Sequence, residues 1–221
     1  MLPASLISRL ESTRIVAVVT LEHADDAVPV ARALAAGGVT AIELTLRTAA
    51  GLEAIRRIRA EVPDVVIGAG TVLNREQVEA AKAAGAMFGV APGCNPSTLR
   101  AAKEIGLPFG PGVATASDIE IALEHGCRVL KFFPAETSGG LPHLTTLAAP
   151  FAHLGVKFIP LGGIKEATMS RYLESPLVLC VGGSWLVTAD LVRNKDWNGI
   201  QQGAATSTTL ARGVTGAAKI R

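Results

Sequence analysis

Several short stretches of this sequence place chemically active residue types where apolar ones would be expected. In Ala41-Ile42-Glu43-Leu44-Thr45-Leu46-Arg47, polar and apolar residues alternate. Side chains of a strand point alternately to opposite faces. Ile42, Leu44 and Leu46 therefore pack under helices, and Glu43, Thr45 and Arg47 point inward or over a rim. In Val129-Leu130-Lys131-Phe132-Phe133-Pro134, a lysine stands inside an apolar strand, sharing its parity with Phe133. Lysine is rarely buried without a partner. Withdrawn from water, an ammonium is disfavoured, and the freed amine is a nucleophile toward a carbonyl. The alternative is that Lys131 snorkels outward or forms a salt bridge.

At ~3.3 Å per residue, Glu43 and Arg47 are about 13 Å apart along a straight strand. Arg47 must therefore lie on the following loop and fold back if both serve one ligand. The competing reading is a Glu43–Arg47 ion pair that only fastens the rim.

Gly68-Ala69-Gly70-Thr71 ends another strand, but a dinucleotide fingerprint needs a glycine where Leu73 stands, so no Rossmann site is expected. The Thr71 hydroxyl binds a carboxylate or caps the turn. Gly162-Gly163 and Gly182-Gly183 close two late strands. Paired glycines let backbone N–H groups approach an anion, or simply turn the chain; two pairs in these places favour phosphate.

The elements that must position these residues recur regularly. Eight β-branched runs are predicted: Arg14–Thr20, Val39–Thr45, Val65–Gly70, Ala86–Pro92, Pro108–Gly112, Arg128–Pro134, Lys157–Gly162 and Leu177–Gly183. Their ends lie about 20–28 residues apart, the length of a strand plus a crossover helix. Between them fall helical patterns such as Ala24–Ala36, Asn74–Ala84, Pro96–Ile105 and Ser117–His125. Asn74 and Ser117 are the expected N-caps, and Gly37, Gly85, Gly106 and Gly126 the expected left-handed ends. Right-handed crossovers of this length close into a (β/α)8 TIM barrel, an α/β fold whose chemistry sits at the carboxyl ends of the strands. An open doubly wound sheet is the rival. Residues before Thr13 form a helix near the barrel bottom, and Ala189–Arg221 a final helix plus tail. No linker divides residues 1–221, so one domain is expected.

Composition narrows the function. The 221 residues are 49% hydrophobic, 18% charged and only 4% aromatic, with a formal net charge of +2. The basic residues are scattered, which argues against nucleic acid. No apolar run is long enough to span a membrane. Cys94, Cys127 and Cys180 lack C-x-x-C spacing, so neither disulfides nor a cysteine zinc site is expected, and a cytoplasmic location follows. His23, His125, His143 and His153 have no metal-ligand spacing.

Taken in order, Glu43-Leu44-Thr45-Leu46-Arg47, Gly68-Ala69-Gly70-Thr71-Val72-Leu73, Lys131-Phe132-Phe133-Pro134-Ala135-Glu136 and Val181-Gly182-Gly183-Ser184-Trp185 resemble one family. It is that of the 2-dehydro-3-deoxy-phosphogluconate (KDPG) and 4-hydroxy-2-oxoglutarate (KHG) aldolases, and the likeness runs from about Ile15 to Val187. The resemblance implies a Schiff-base (class I) aldolase on a (β/α)8 barrel, a homotrimer, with no metal and no other cofactor. It makes Lys131 the Schiff-base lysine, Glu43 the general acid/base, and Arg47 and Thr71 the binders of the pyruvate carboxylate. Pro92, Phe133, Gly162, Gly163 and Ser184 would shape the pocket and grip the phosphate. One departure stands out: Leu161 precedes Gly162 where phosphogluconate-type members carry Thr, which implies acceptance of both C4 epimers. A phosphosugar isomerase or epimerase on the same fold, or a non-catalytic sugar-phosphate binding protein, are the alternatives.

Overall fold

The computed structural model describes residues 1–214; the tail expected beyond them lies outside the described residues. Its strands are β1 (Ile15–Val19), β2 (Ala41–Thr45), β3 (Val66–Gly70), β4 (Phe88–Val90), β5 (Phe109–Gly110), β6 (Gly112–Val113), β7 (Val129–Phe132), β8 (Lys157–Pro160) and β9 (Val181–Gly183). Its helices are α1 (Ala4–Thr13), α2 (Ala27–Ala36), α3 (Gly51–Glu61), α4 (Arg75–Ala83), α5 (Pro96–Ile105), α6 (Ala116–Glu124), α7 (Gly140–Ala148), α8 (Glu166–Leu173), α9 (Ala189–Arg193) and α10 (Trp197–Gly213).

All strand pairs are parallel, and the chain forms two arcs, one of order β5-β4-β3-β2-β1-β9 and one of order β6-β7-β8. The α/β class is as expected, but the bonding is not one continuous eight-stranded ring. The predicted fifth run is cut at Pro111, which has no N–H to donate to a ladder. β5 pairs with β4, and β6 with β7. Across this break Gly112 N donates to Gly93 O at 3.2 Å, and Lys131 N donates to Pro111 O at 2.8 Å. The predicted run Leu177–Gly183 also changes neighbours. Its first part bonds Phe158, with Phe158 N to Leu177 O at 2.8 Å and Leu179 N to Phe158 O at 2.9 Å. Its second part, β9, pairs with β1.

Alternation sorts the core into two layers. Ile42, Leu44, Leu130 and Phe132 pack in the layer shared with the helices. Val16, Ala41, Val66, Phe88 and Val129, on the opposite faces near the strand starts, pack against Leu6 and Leu10 of α1. The N-terminal helix therefore closes the amino ends of the strands. Leu10 is fully buried there, a contribution of about 1.5–3 kcal/mol.

Local signals mostly hold. Asn74 caps α4, accepting from Gln77 N at 2.9 Å. The expected Ser117 cap is displaced: Thr115 caps α6, because its hydroxyl accepts from Asp118 N while Asp118 accepts from Thr115 N, a reciprocal capping box. Residues 24–26 form a 3-10 turn before α2. Gly85, Gly106 and Gly126 take positive φ, but Gly37 does not; Gly38, at φ +90°, turns the chain instead. Gly37 serves close approach: a β-carbon there would lie 2.5 Å from both Ala204 Cβ and Gln201 O of α10.

Candidate active site

The site is built where β2 and β7 face each other. Lys131 precedes the last residue of β7, and its Nζ donates to Oε1 of Glu43 in β2 at 2.9 Å. The two side chains are 8% and 3% exposed, so this is a buried ion pair and the lysine does not snorkel. Glu43 is thus paired with Lys131, and the rim pair with Arg47 does not form. The neighbouring strand makes room for the carboxylate, since a β-carbon on Gly70 would lie 2.3 Å from Oε1. The Phe133 ring lies 5.2 Å from the ammonium, within cation–π range.

The pair separates two spaces. Toward α1 lies a pocket of about 20 Å³ lined by Leu2, Leu10, Val16, Phe88, Val90, Val129 and Ile159, an apolar floor. Toward the carboxyl ends of the strands opens a cavity of about 480 Å³. Glu43, Arg47, Thr71, Pro92, Lys131, Phe133, Gly162, Gly163 and Ser184 all line it, so every sequence-predicted site residue is brought to one place. Leu161 lines both spaces and is 4% exposed.

Arg47 does fold back. Its NH2 donates to Thr20 Oγ1 at 2.7 Å and its Nε to Thr45 Oγ1 at 3.4 Å, and the two hydroxyls are 2.8 Å apart. Thr20, just past β1, was not among the predicted site residues; its only signal is a polar residue ending an apolar run. Thr71 adopts φ +60°, a left-handed conformation that costs a β-branched residue about 1–3 kcal/mol. It does not cap the helix that follows, where Asn74 does so. A strained residue at a cavity wall points to a role in that cavity.

The opposite wall is glycine-rich. Gly162 and Gly163 have φ of +99° and +80°, turning their backbone along the cavity in a conformation a side chain would resist. This loop is laced to the segment after β7: Ala135 N donates to Leu161 O at 2.7 Å and Glu136 N to Gly162 O at 3.0 Å. Glu136 is itself held by Arg171 NH2 at 2.6 and 2.8 Å and by the Tyr172 hydroxyl at 2.7 Å. The Arg171 bonds, then the Tyr172 bond, hold its carboxyl below the usual range. Burial and the Glu136 bond push the Tyr172 phenol up to about 12. Beyond Ser184, Trp185 Nε1 donates to Ser207 Oγ, which donates to Glu166 Oε2 at the start of α8. Sequence reasoning did not find Lys165, Trp185 or Thr188, which also line the cavity.

No cysteine supplies a competing nucleophile: burial pushes the Cys94 thiol up to about 12 and raises Cys127 and Cys180 as well. Among the described residues no group of three or more His, Cys, Asp or Glu side chains could hold a metal ion, and no helix is long and apolar enough to cross a membrane. The arrangement is a buried lysine–glutamate pair above an apolar floor, with a guanidinium on one side and glycine-rich backbone on the other. Such a set can capture the keto carbon of an anionic substrate covalently.

Comparison with known proteins gives concordant likenesses. The family model for KDPG and KHG aldolase matches residues 6–203. A 2-dehydro-3-deoxy-phosphogluconate aldolase of Treponema pallidum is 46% identical over 194 residues, covering 88% of this chain and 91% of the relative. The crystal structure of the Zymomonas mobilis 2-keto-3-deoxy-6-phosphogluconate aldolase with 3-phosphoglycerate superposes with a TM-score of 0.87 at 40% identity, covering 96% of this chain and 97% of its own. A KDPG aldolase of Legionella pneumophila, with pyruvate captured as a covalent carbinolamine, superposes at 0.84 and 36% identity, covering 95% and 97%.

Proposed function

This chain belongs to the KDPG and KHG aldolase family, and on that premise we propose that Lys131 forms its Schiff base and Glu43 moves the protons. It is an aldehyde-lyase that cleaves 2-dehydro-3-deoxy-6-phosphogluconate reversibly to pyruvate and D-glyceraldehyde 3-phosphate. The observation that carries the residue assignment is the 2.9 Å contact between the two side chains on the cavity floor.

The proton on Nζ passes to Oε1 of Glu43, and the freed lone pair attacks C2 of the keto acid. Glu43 gives that proton to the alkoxide oxygen, forming the carbinolamine, then takes a second proton from Nζ and passes it to the same oxygen, which leaves as water and yields an iminium. The Glu43 carboxylate, directly or through a water, then takes the C4 hydroxyl proton. The C3–C4 bond breaks, its electrons pass into the iminium, and the aldehyde departs from an enamine. Protonation of that enamine at C3 and hydrolysis release pyruvate and the amine. Arg47 and Thr71 hold the substrate carboxylate, Gly162, Gly163 and Ser184 take the phosphate, and Pro92 and Phe133 shape the walls between them. The strained Thr71 and the positive φ of the glycine loop support that division.

Further readings extend this one. The two arcs act as one (β/α)8 barrel and one domain, supported by the backbone bonds across Pro111 and Phe158. Apolar Leu161 in the cavity wall supports turnover of the galactonate epimer beside the gluconate one, and 4-hydroxy-2-oxoglutarate is a further substrate. The enzyme works without a cofactor, as a cytoplasmic homotrimer.

Borohydride reduction with pyruvate, followed by peptide mass spectrometry, tests the central assignment. The expected adduct is on Lys131. An adduct elsewhere, or full cleavage by Lys131→Met, overturns it.

A further inference from the structure

Where Arg47 lines the cavity it rests on a hydroxyl pair that none of the steps above uses. Thr45 ends β2 and lines the cavity, Thr20 follows β1 and lines the adjoining pocket, and their oxygens are 2.8 Å apart. Arg47 leaves β2 two residues after Thr45 and is otherwise exposed to solvent. It donates to both oxygens, most closely from NH2 to Thr20 at 2.7 Å. A guanidinium can only donate, and each threonine has one hydroxyl hydrogen. One of those hydrogens is consumed between the two hydroxyls. The other, together with the remaining guanidinium N–H groups, is left to donate. At the cavity Arg47 therefore presents a surplus of donors, the complement of an anion.

We propose that Thr20 is a positioning residue for the substrate carboxylate: with Thr45 it holds the Arg47 guanidinium at the cavity wall, leaving the other N–H groups of the guanidinium to donate. The proposal rests on the reading of Arg47 as the carboxylate binder. Held by one oxygen at the end of β2 and one just past β1, the arginine is ordered before substrate arrives, and little of its long side chain's freedom remains to be lost on binding. Without Thr20 only the longer 3.4 Å bond to Thr45 remains.

Thr20→Val keeps the shape and removes the hydroxyl. The expected result is a rise of about tenfold in the KM for the cleaved keto acid, the size of one hydrogen bond to a charged group. The pyruvate concentration giving half-maximal borohydride trapping rises in parallel, kcat stays within about twofold, and the melting temperature is unchanged. Thr20→Ser restores the wild-type values. Arg47→Ala, measured beside it, separates the two layers of the argument. If Arg47→Ala raises both constants and Thr20→Val raises neither, the positioning role is overturned while the reading of Arg47 stands. If Arg47→Ala raises neither, the reading of Arg47 itself fails. A Thr20→Val variant that loses kcat and melting temperature together, with unchanged pyruvate saturation, shows a structural threonine and also overturns the proposal.

Discussion

Lys131 and Glu43, 88 positions apart in the chain, meet at 2.9 Å with both side chains almost wholly withdrawn from solvent. Nothing but the parallel packing of β2 and β7 toward one interior brings them together. A buried pair of this kind contributes little net stability against an apolar substitute, but half of it alone is costly.

Removing one partner should therefore destabilise the protein as well as silence it. Lys131→Met leaves Glu43 buried without its cation and is expected to lower stability by about 3–5 kcal/mol. Adding Glu43→Gln to it should recover much of that loss while the double variant stays inactive. Denaturant unfolding of the two single variants and the double one measures this. A Lys131→Met protein as stable as wild type would mean that the two groups are not coupled as their burial implies.

Leu161 offers no hydroxyl to the cavity it lines, and it packs where a β-carbon on Gly182 would lie 2.4 Å from its Cγ. Wild type is expected to cleave both C4 epimers. Leu161→Thr should favour the gluconate epimer by roughly tenfold to a hundredfold in kcat/KM, as a hydrogen-bonding wall discriminates better than an apolar one. Paired kcat/KM measurements decide the point; absence of galactonate-epimer turnover in the wild type would remove the basis for it.

Glu136 ties the segment after Lys131 to α8, and its carboxyl is held below the usual range chiefly by Arg171. A carboxyl depressed in the folded state binds its proton more readily in the unfolded chain. Its contribution is therefore complete above the ordinary carboxylate range and is lost as pH falls through the depressed folded value. The melting temperature of wild type should drop in that acidic window, and Glu136→Gln, lower at neutral pH, should show a shallower drop. Parallel melting curves for the two proteins would refute this. Arg171 is half exposed, so the effect is small and weakens with salt.

The residues of the candidate site were legible because strand alternation makes a polar residue in an apolar run conspicuous. Lys131, Glu43 and Thr45 each break such a run, and the paired glycines mark loops at strand ends. Long-range partners were not legible in the same way. Nothing local to Glu136 indicates Arg171 and Tyr172, 35 and 36 residues on, and nothing local to Thr20 indicates Arg47. The Ser117 cap was misplaced because several residues near a helix start can cap it, and the reciprocal bond with Asp118 selects Thr115. Gly37 does end α2, but without the expected left-handed conformation, and its lack of a side chain serves contact with α10, a neighbour more than 160 residues away in the chain.

From the amino-acid order alone came the α/β class, the strand and helix succession, the shared parity of Glu43 with Thr45 and of Lys131 with Phe133, and the family resemblance. Each depends on spacing of two to four residues or on a short motif, which the chain carries locally. Only the tertiary structure decided that Lys131 pairs with Glu43 instead of reaching solvent, that Arg47 doubles back onto two threonines, and that Pro111 divides the sheet into two arcs. Those outcomes depend on which distant groups share a volume from which water is excluded, and that is a property of the packed fold.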